Sequence, residues 1–175
     1  MDAAIIRARF PVSDNVPDWP AFISRYGPVA LLYARQLTGA DADAQDALHD
    51  GFLRFWAHRN AAREAPALFF ASVRCAALDL RRGAARRRQR ERAHPPPAPF
   101  LTGPTEASEL RDQIQRALGL LPEPQREVVV LKIWSELTFA QIAEALSESP
   151  NTIAARYRYA MEKLEQLLSP EYKHE

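Results

Sequence analysis

A short proline-rich stretch, HPPPAPFLTGP at residues 94–104, is the feature that most constrains how this chain folds. It holds five of the 14 prolines in the sequence. Proline lacks a backbone N–H and has a fixed φ, so such a run suits neither a helix interior nor a central strand. We interpret it as a stiff linker with polyproline II character. It predicts two domains, at 19–93 and 105–169, with an N-terminal extension at 1–18 and a tail at 170–175.

Both domains are predicted to be helical. Alanine makes up 30 of the 175 residues, which favours closely packed helices, and β-branched residues are fewer than strands need. Apolar residues recur at helical spacing, although a VVVLKIW run in the second domain locally resembles a strand. The predicted helices cover residues 19–38, 41–58, 66–82, 105–121, 123–134, 138–147 and 150–168. The sequence thus predicts an all-α protein, with a three-helix unit followed by a four-helix domain.

Several protein classes are excluded by the composition and the motifs. A single cysteine, Cys75, rules out an internal disulfide framework and a multi-cysteine zinc site. No common catalytic or nucleotide-binding motif is present, so we expect no enzymatic activity and no cofactor. No apolar run approaches the length of a membrane span, and Arg7 and Arg9 lie where a signal peptide needs apolar residues. A cytoplasmic protein is expected.

The clearest motif is a helix-turn-helix over residues 138–164. A short helix opening with a Thr138–Gln141 capping box, a turn and a longer helix have the expected lengths. The outer face of the longer helix carries Asn151, Thr152, Ala155, Arg156 and Tyr159. Such a face reaches base edges and phosphates in a major groove, whereas an ordinary helical hairpin is the alternative. Residues 94–175 carry a formal charge of −4, which argues against strong DNA binding by this half alone.

A second motif is the basic segment RRGAARRRQRER at residues 81–92. It holds seven of the 15 Arg and Lys residues in 1–93, a half with a formal charge of +5. Arg82, Arg86 and Arg90 share one helical face, where like charges repel and a polyanion would relieve the repulsion. A solvated or disordered tail is the alternative, but aromatic residues just upstream favour nucleic acid.

A third motif is an acidic stripe on the outer face of the predicted helix 41–58. Asp46, His49, Asp50 and Leu53 share that face at i, i+3, i+4 and i+7. A leucine among carboxylates suits a protein-docking surface, although taken alone the pattern more often marks a solvated face. A metal site is disfavoured, because these mixed ligands on one helix have no partner ligand elsewhere in the sequence.

Together these motifs resemble the extracytoplasmic-function (ECF) group of bacterial RNA polymerase sigma factors. That family has two helical domains, sigma region two and sigma region four, joined by a flexible linker. DADAQDALHDGFLRFW at 41–56 is similar to the family's acidic-aromatic signature, with matches at Asp46, Asp50, Phe52 and Trp56 and with His49 in place of the usual glutamine. The resemblance implies that the acidic stripe docks on the clamp helices of the polymerase.

Residues 67–88 are similar to the family's promoter-melting and minus-ten segment. Arg74 and Asp79 match it, whereas Leu68 replaces a common tryptophan and Cys75 a common asparagine. The residues that the resemblance implies for the minus-ten contact are Arg74, Cys75, Asp79, Arg81, Arg82, Arg86 and Arg87.

Residues 121–164 are similar to region four, which reads the minus-thirty-five element. The matching positions are Leu121, Pro122, Arg126, Leu131, Ile142, Ala143, Thr152, Ile153, Arg156, Ala160 and Leu164. Ala154 and Tyr159 replace frequently basic positions, which implies weaker phosphate contacts than usual.

The resemblance implies a non-enzymatic initiation factor whose partners are core RNA polymerase, at its clamp helices and flap, and promoter DNA. Members of the family are often held by an anti-sigma factor, and nothing in this sequence identifies one. A free-standing helix-turn-helix regulator is the main alternative, but it has no use for the acidic-aromatic helix. A helical scaffold without a nucleic-acid role is a further one. The linker permits a compact or an extended arrangement of the domains.

Overall fold

A computed structural model of the chain describes residues 18–61, 64–91 and 106–168. Within these ranges the protein consists of helices and turns without a strand, and the all-α prediction is confirmed. The helices are α1 Trp19–Thr38, α2 Asp41–His58, α3 Ala65–Glu91, α4 Glu106–Gly119, α5 Glu123–Ile133, α6 Phe139–Leu146 and α7 Pro150–Leu168. A single 3₁₀ turn, Arg59–Ala61, follows α2. The predicted linker at 94–104, the tail at 170–175 and, except for Asp18, the extension at 1–18 lie outside the described residues.

The helix ends follow local side-chain chemistry. The Asp18 carboxylate accepts a hydrogen bond from the backbone N–H of Ala21 and begins α1, and Gly39 ends that helix with a φ of 76°. Glycine adopts this left-handed conformation without the steric cost of a Cβ atom. The capping box between Thr138 and Gln141 begins α6 as predicted, with hydrogen bonds in both directions.

Two segments have a helical structure that their local sequence alone does not indicate. The strand-like VVVLKIW run lies in α5 and in the residue that follows it, so the helical prediction for this segment is confirmed. The basic helix α3 continues to Glu91, past the predicted end at residue 82. Alanine and arginine are good helix formers, and Arg82 pairs with Asp79 at 3.3 Å, which offsets part of the repulsion among the arginines.

The first half of the chain, α1 to α3, is a three-helix unit around an aromatic core. Phe55, Phe69 and Phe70 are fully buried. Phe22 stacks on Phe55 with ring centroids 5.4 Å apart. Aromatic pairs in such geometries add to the burial of apolar area in stabilising a core.

Helices α2 and α3 pack closely against each other at Gly51. A Cβ atom at this position would lie 2.6 Å from the Cα atom of Val73, well inside contact distance. The crossing therefore requires a residue without a side chain.

The second half, α4 to α7, packs around α5. Residues 128–131 on α5 are all buried, because both faces of this short helix are covered. Ile142 of α6 and Ile153 of α7 are fully buried and hold the helix-turn-helix together.

The two halves pack against each other in the described structure. One buried cluster contains Tyr33 and Phe70 from the first half together with Val128, Leu131 and Ile142 from the second. Helix α3 contacts α6, and α1 contacts α5. We call this contact between the halves the seam. Of the two arrangements that the linker permits, the structure has the compact one.

Candidate nucleic-acid and protein interfaces

The acidic stripe lies on the outer face of α2. Asp46, His49 and Asp50 are exposed, and Leu53 keeps 53% of its surface accessible. The opposite face of the helix is buried at Ala44, Ala47, Gly51 and Phe55. The burial of that face fixes the direction in which the stripe points.

The stripe's carboxylates are available to a partner. Among the residues that the structure describes, neither Asp46 nor Asp50 takes part in an ion pair. Within the same residues, no three metal-binding side chains come close enough together to hold an ion. An exposed leucine on the same helical face as two unpaired carboxylates is suited to a basic surface with an apolar pocket.

The residues predicted for minus-ten contacts lie along α3. Cys75, Asp79, Arg81, Arg82 and Arg86 are exposed. Arg74 is partly buried, and Arg87 lies in the part of α3 where only the backbone is described. Arg81, Arg82 and Arg86 thus give the described part of the helix a basic surface.

Asp79 holds arginines in place. Its carboxylate accepts a hydrogen bond from Arg54 on α2 at 2.9 Å and pairs with Arg82 at 3.3 Å. A carboxylate repels phosphate, so Asp79 is not suited to contact the DNA backbone. We interpret it as a residue that holds Arg54 and Arg82 in position.

Arg74 faces the seam, where its guanidinium group forms a hydrogen-bonded ion pair with Glu127 of α5. The Nε atom donates to Glu127 Oε1 at 2.9 Å, and Nη2 lies 3.4 Å from Oε2. The Tyr33 hydroxyl also donates to Oε1, at 3.0 Å. The side chain of Glu127 is only 6% exposed and that of Arg74 is 30% exposed. Sequence reasoning missed Glu127 and Tyr33, because their partners lie 53 and 94 residues away along the chain.

Protonation in this buried cluster follows from its geometry. Burial and then the charge of Glu127 raise the pKa of Tyr33 well above its usual value, so the phenol stays neutral. Partial burial acts to lower the pKa of Arg74, but the hydrogen bonds and charge of Glu127 outweigh it and raise that pKa.

Arg81 also reaches across the seam. Its Nη1 atom donates to Glu123 Oε1 at 2.7 Å and to the carbonyl of Leu37 at 3.3 Å. At the outer rim, Arg25 pairs with Glu136 at 2.9 Å. Two of the seven predicted minus-ten residues, Arg74 and Arg81, therefore contact the second half of the chain.

The helix-turn-helix has the expected geometry. Ser147 ends α6 in the left-handed conformation, with a φ of 57°. The Ser149 hydroxyl accepts a hydrogen bond from the Thr152 N–H at 3.0 Å and begins α7. On the predicted recognition face, Asn151 and Tyr159 are exposed, and Thr152, Ala155 and Arg156 are half-buried. The guanidinium of Arg156 pairs with Glu148 at 2.8 Å.

An apolar groove on the second half was missed by sequence reasoning. It has a volume of about 780 Å³, lies between α4, α5 and α7, and is lined by Ile114, Ile133, Trp134, Met161 and Leu168 among others. Ile133, Trp134, Met161 and Leu168 are exposed. The sequence has a run of large apolar residues at the end of α5, but it does not show which of them stay exposed after packing.

Two family models match the chain. One is Sigma-70 region 2, over residues 22–90, and the other is Sigma-70, region 4, over residues 111–164. In sequence the chain is similar to "ECF RNA polymerase sigma factor SigL" of Mycobacterium tuberculosis strain H37Rv. The two are 30% identical over 150 residues, which cover 82% of this chain and 85% of the relative.

Two solved structures have the same fold. The sigma factor RpoE, crystallised with the anti-sigma factor NepR from Bartonella quintana, is 21% identical, has a TM-score of 0.67, and is matched over 87% of this chain and 98% of its own. CnrH, in complex with the cytosolic domain of CnrY, is 23% identical, has a TM-score of 0.61, and is matched over 86% of each chain. In the part of the present chain that is described, no helix is long and apolar enough to cross a membrane.

Proposed function

The chain belongs to the ECF group of RNA polymerase sigma factors, and we propose that four of its surfaces divide the work of initiation between them. It is an initiation factor that binds polymerase and promoter DNA, rather than a free-standing regulator. We assign it no catalytic activity and no cofactor of its own, and we place it in the cytoplasm, where core polymerase works.

The acidic stripe is the proposed surface for the clamp helices of core polymerase. The observation that supports it is that Asp46 and Asp50 are exposed and unpaired beside Leu53 among the described residues. Complementary charge steers association and excludes wrong partners. His49 lies between the two carboxylates on the same face and belongs to this surface.

The test is binding of the fluorescently labelled full chain to bacterial core polymerase. Asp50→Arg reverses one charge in the stripe and is expected to raise Kd at least about tenfold. Glu144→Arg is the matched control, because it makes the same charge reversal at an exposed position of α6, outside the stripe. Equal affinity of the two variants would contradict the assignment.

The basic part of α3 is the proposed surface for the minus-ten element. Its proposed contacts are Arg74, Cys75, Arg81, Arg82, Arg86 and Arg87, with Asp79 ordering Arg54 and Arg82. Opening five base-pair steps costs about 7 kcal/mol in lost stacking, so the freed strand has to be captured. Cationic and stacking contacts supply that capture.

Helix α7 is the proposed reader of the minus-thirty-five element, through Asn151, Thr152, Ala155, Arg156 and Tyr159. Arg156→Ala is expected to cost about 1–3 kcal/mol of promoter affinity in the holoenzyme, measured by footprinting. Lys163→Ala removes the same charge at an exposed position about two turns further along α7 and serves as the control. Promoter occupancy that is the same in both variants would remove Arg156 from the interface.

The apolar groove is the proposed second surface for polymerase, where it would receive an apolar helix of the flap. Its large exposed side chains, Trp134 and Met161 among them, are typical of an interface core. The RpoE structure was determined with an anti-sigma factor. We propose that a regulator of that class would compete with polymerase for the same surfaces on this chain.

A further inference from the structure

An acidic residue lies in the turn of the helix-turn-helix, against the predicted recognition face. The Glu148 carboxylate accepts a hydrogen bond from Nη2 of Arg156 at 2.8 Å and forms an ion pair with it. The side chains of Arg156 and Glu148 are 27% and 37% exposed, so the pair is partly packed and still accessible to DNA. Among the residues that the structure describes, the guanidinium of Arg156 has no other hydrogen-bond or ion-pair partner.

The backbone on either side of Glu148 is ordered by hydrogen bonds. The N–H of Glu148 donates to the carbonyl of Ala143 at 2.9 Å, across the left-handed residue Ser147 that ends α6. This bond closes the helix end in the manner of a Schellman motif. The Ser149 hydroxyl then caps α7 at the N–H of Thr152. The turn therefore sets the position of the carboxylate and, through it, that of the paired guanidinium.

We propose that Glu148 is a positioning residue, which orients Arg156 toward the O6 and N7 atoms of a guanine in the minus-thirty-five element. This inference rests on the proposed contact of α7 with that element. The carboxylate oxygen occupies one of the five N–H donors of the guanidinium, so two others remain to bind O6 and N7 together. The N-terminal residues of a recognition helix are the ones that meet base edges, and Arg156 lies in the second turn of α7.

The charge of Glu148 favours a base rather than a phosphate as the target of Arg156. The two side chains together are formally neutral, so the pair gains less from a phosphate than a lone arginine does. A carboxylate near the DNA backbone is repelled at every sequence, whereas the hydrogen bonds to guanine form at only one base. The ion pair also fixes the arginine rotamer before DNA binds, which lowers the entropy cost of the contact. Glu148 thus raises the ratio of specific to nonspecific affinity.

The test begins with a selection of DNA by the full chain assembled with bacterial core polymerase. The probe is a pool of duplexes randomised over one helical turn, about 10 base pairs, upstream of a mismatched bubble that needs no melting. The bound DNA is sequenced. The unsubstituted chain is expected to select guanine at a position where Arg156→Ala shows no preference. If Arg156→Ala keeps every base preference, the guanine contact and its positioning by Glu148 are both overturned, and unweakened binding would also remove Arg156 from the interface.

Kd is then measured by fluorescence anisotropy for two duplexes that differ only at that position, with guanine in one and adenine in the other. In Glu148→Ala the ratio of the two Kd values is expected to fall about tenfold, because the arginine loses the orientation that a bidentate contact requires. Glu148→Gln keeps an acceptor oxygen but not the charge, and its ratio is expected to lie between those of Glu148→Ala and the unsubstituted chain.

Glu144→Ala is the matched control, because it removes the same charge from an exposed position of the neighbouring helix α6. The ratio is expected to stay unchanged in this variant, since a change in phosphate repulsion affects both duplexes equally. An unchanged ratio in Glu148→Ala, with the ratio lost in Arg156→Ala, would overturn the positioning role and leave the contact of Arg156 with DNA in place.

A double substitution tests whether Glu148 acts through Arg156. Arg156→Ala combined with Glu148→Ala is expected to have the same ratio as Arg156→Ala alone, and a further fall would contradict the positioning role. Circular dichroism establishes that each variant is folded. If Glu148→Ala does not fold, Glu148→Gln is compared with Glu144→Gln by the same ratio. The expected fall is then about threefold, and its absence overturns the proposal.

Discussion

The two halves of this protein use charged residues in opposite ways. The first half turns its carboxylates outward on α2 and directs two arginines of α3 into the seam. The second half directs glutamates into the seam and presents an apolar groove outside. Net charge alone therefore does not identify the half that binds DNA. An acidic half can still contribute a DNA-reading helix when a partner protein holds it on the promoter.

The substitution with the largest expected effect on stability tests whether the two halves unfold as one unit. Gly51→Ala places a methyl group against the backbone of Val73 and is expected to lower the free energy of unfolding by about 3 kcal/mol. Because one buried cluster includes residues of both halves, we expect a single lower transition in thermal melts followed by circular dichroism.

Gly83→Ala is the matched control for that substitution. A Cβ atom at position 83 meets nothing within 4 Å, so alanine is expected to stabilise α3 by about 0.5–1 kcal/mol. Two separate transitions in Gly51→Ala, with only the first half affected, would show that the halves are independent.

The next effect contrasts an apolar surface with a charged one. Trp134→Ala, in the groove, is expected to weaken binding to core polymerase about tenfold, or about 1.4 kcal/mol. Because the lost contact is apolar, the loss is expected to stay the same between low and high salt, whereas the loss from Asp50→Arg shrinks as salt rises. Leu120→Ala, at an exposed leucine that does not line the groove, is the control. A Trp134→Ala loss that disappears at high salt would contradict the assignment.

The smallest effect concerns Tyr33 in the seam. Burial raises the pKa of its phenol above that of the unfolded chain, which is about 10. The contribution of the neutral phenol to the free energy of unfolding is therefore fully present below pH 10. It is lost as the pH rises above that value towards the raised pKa of the folded state. Tyr33→Phe is expected to lower the free energy of unfolding by about 1 kcal/mol at pH 8. In urea melts above pH 10, the variant is expected to lose less stability with rising pH than the unsubstituted chain does. The exposed Tyr159→Phe is the control, and an unchanged alkaline slope in Tyr33→Phe would contradict this role.

Most of the helices were predictable from sequence because their information is local. Helical spacing, the capping box at Thr138 and the glycine at position 39 act over a few residues. The acidic stripe and the recognition face were equally predictable, because residues on one face of a helix recur at fixed intervals. The helix formed by the VVVLKIW run required neighbouring segments as context, because β-branched residues alone favour strands.

The seam and the groove were not predictable, because they depend on contacts between distant residues. Nothing near Glu127 in sequence distinguishes it from a solvated glutamate, and its partner Arg74 matched a DNA-binding motif. The same holds for Trp134, whose exposure depends on how α5 packs against α4 and α7.

The length of α3 has a mechanical consequence. This helix runs through 27 residues from Ala65 to Glu91, which corresponds to about 40 Å. Glu64, just before its first turn, accepts a hydrogen bond from Gln141 of α6 at 3.1 Å, and the arginines lie in its second half. A stiff rod of this kind is a lever arm: a tilt of about 10° at one end displaces the other by about 7 Å, or roughly two base-pair steps. If α3 contacts the minus-ten element as proposed, such a tilt shifts the register of its arginines on the promoter by that distance.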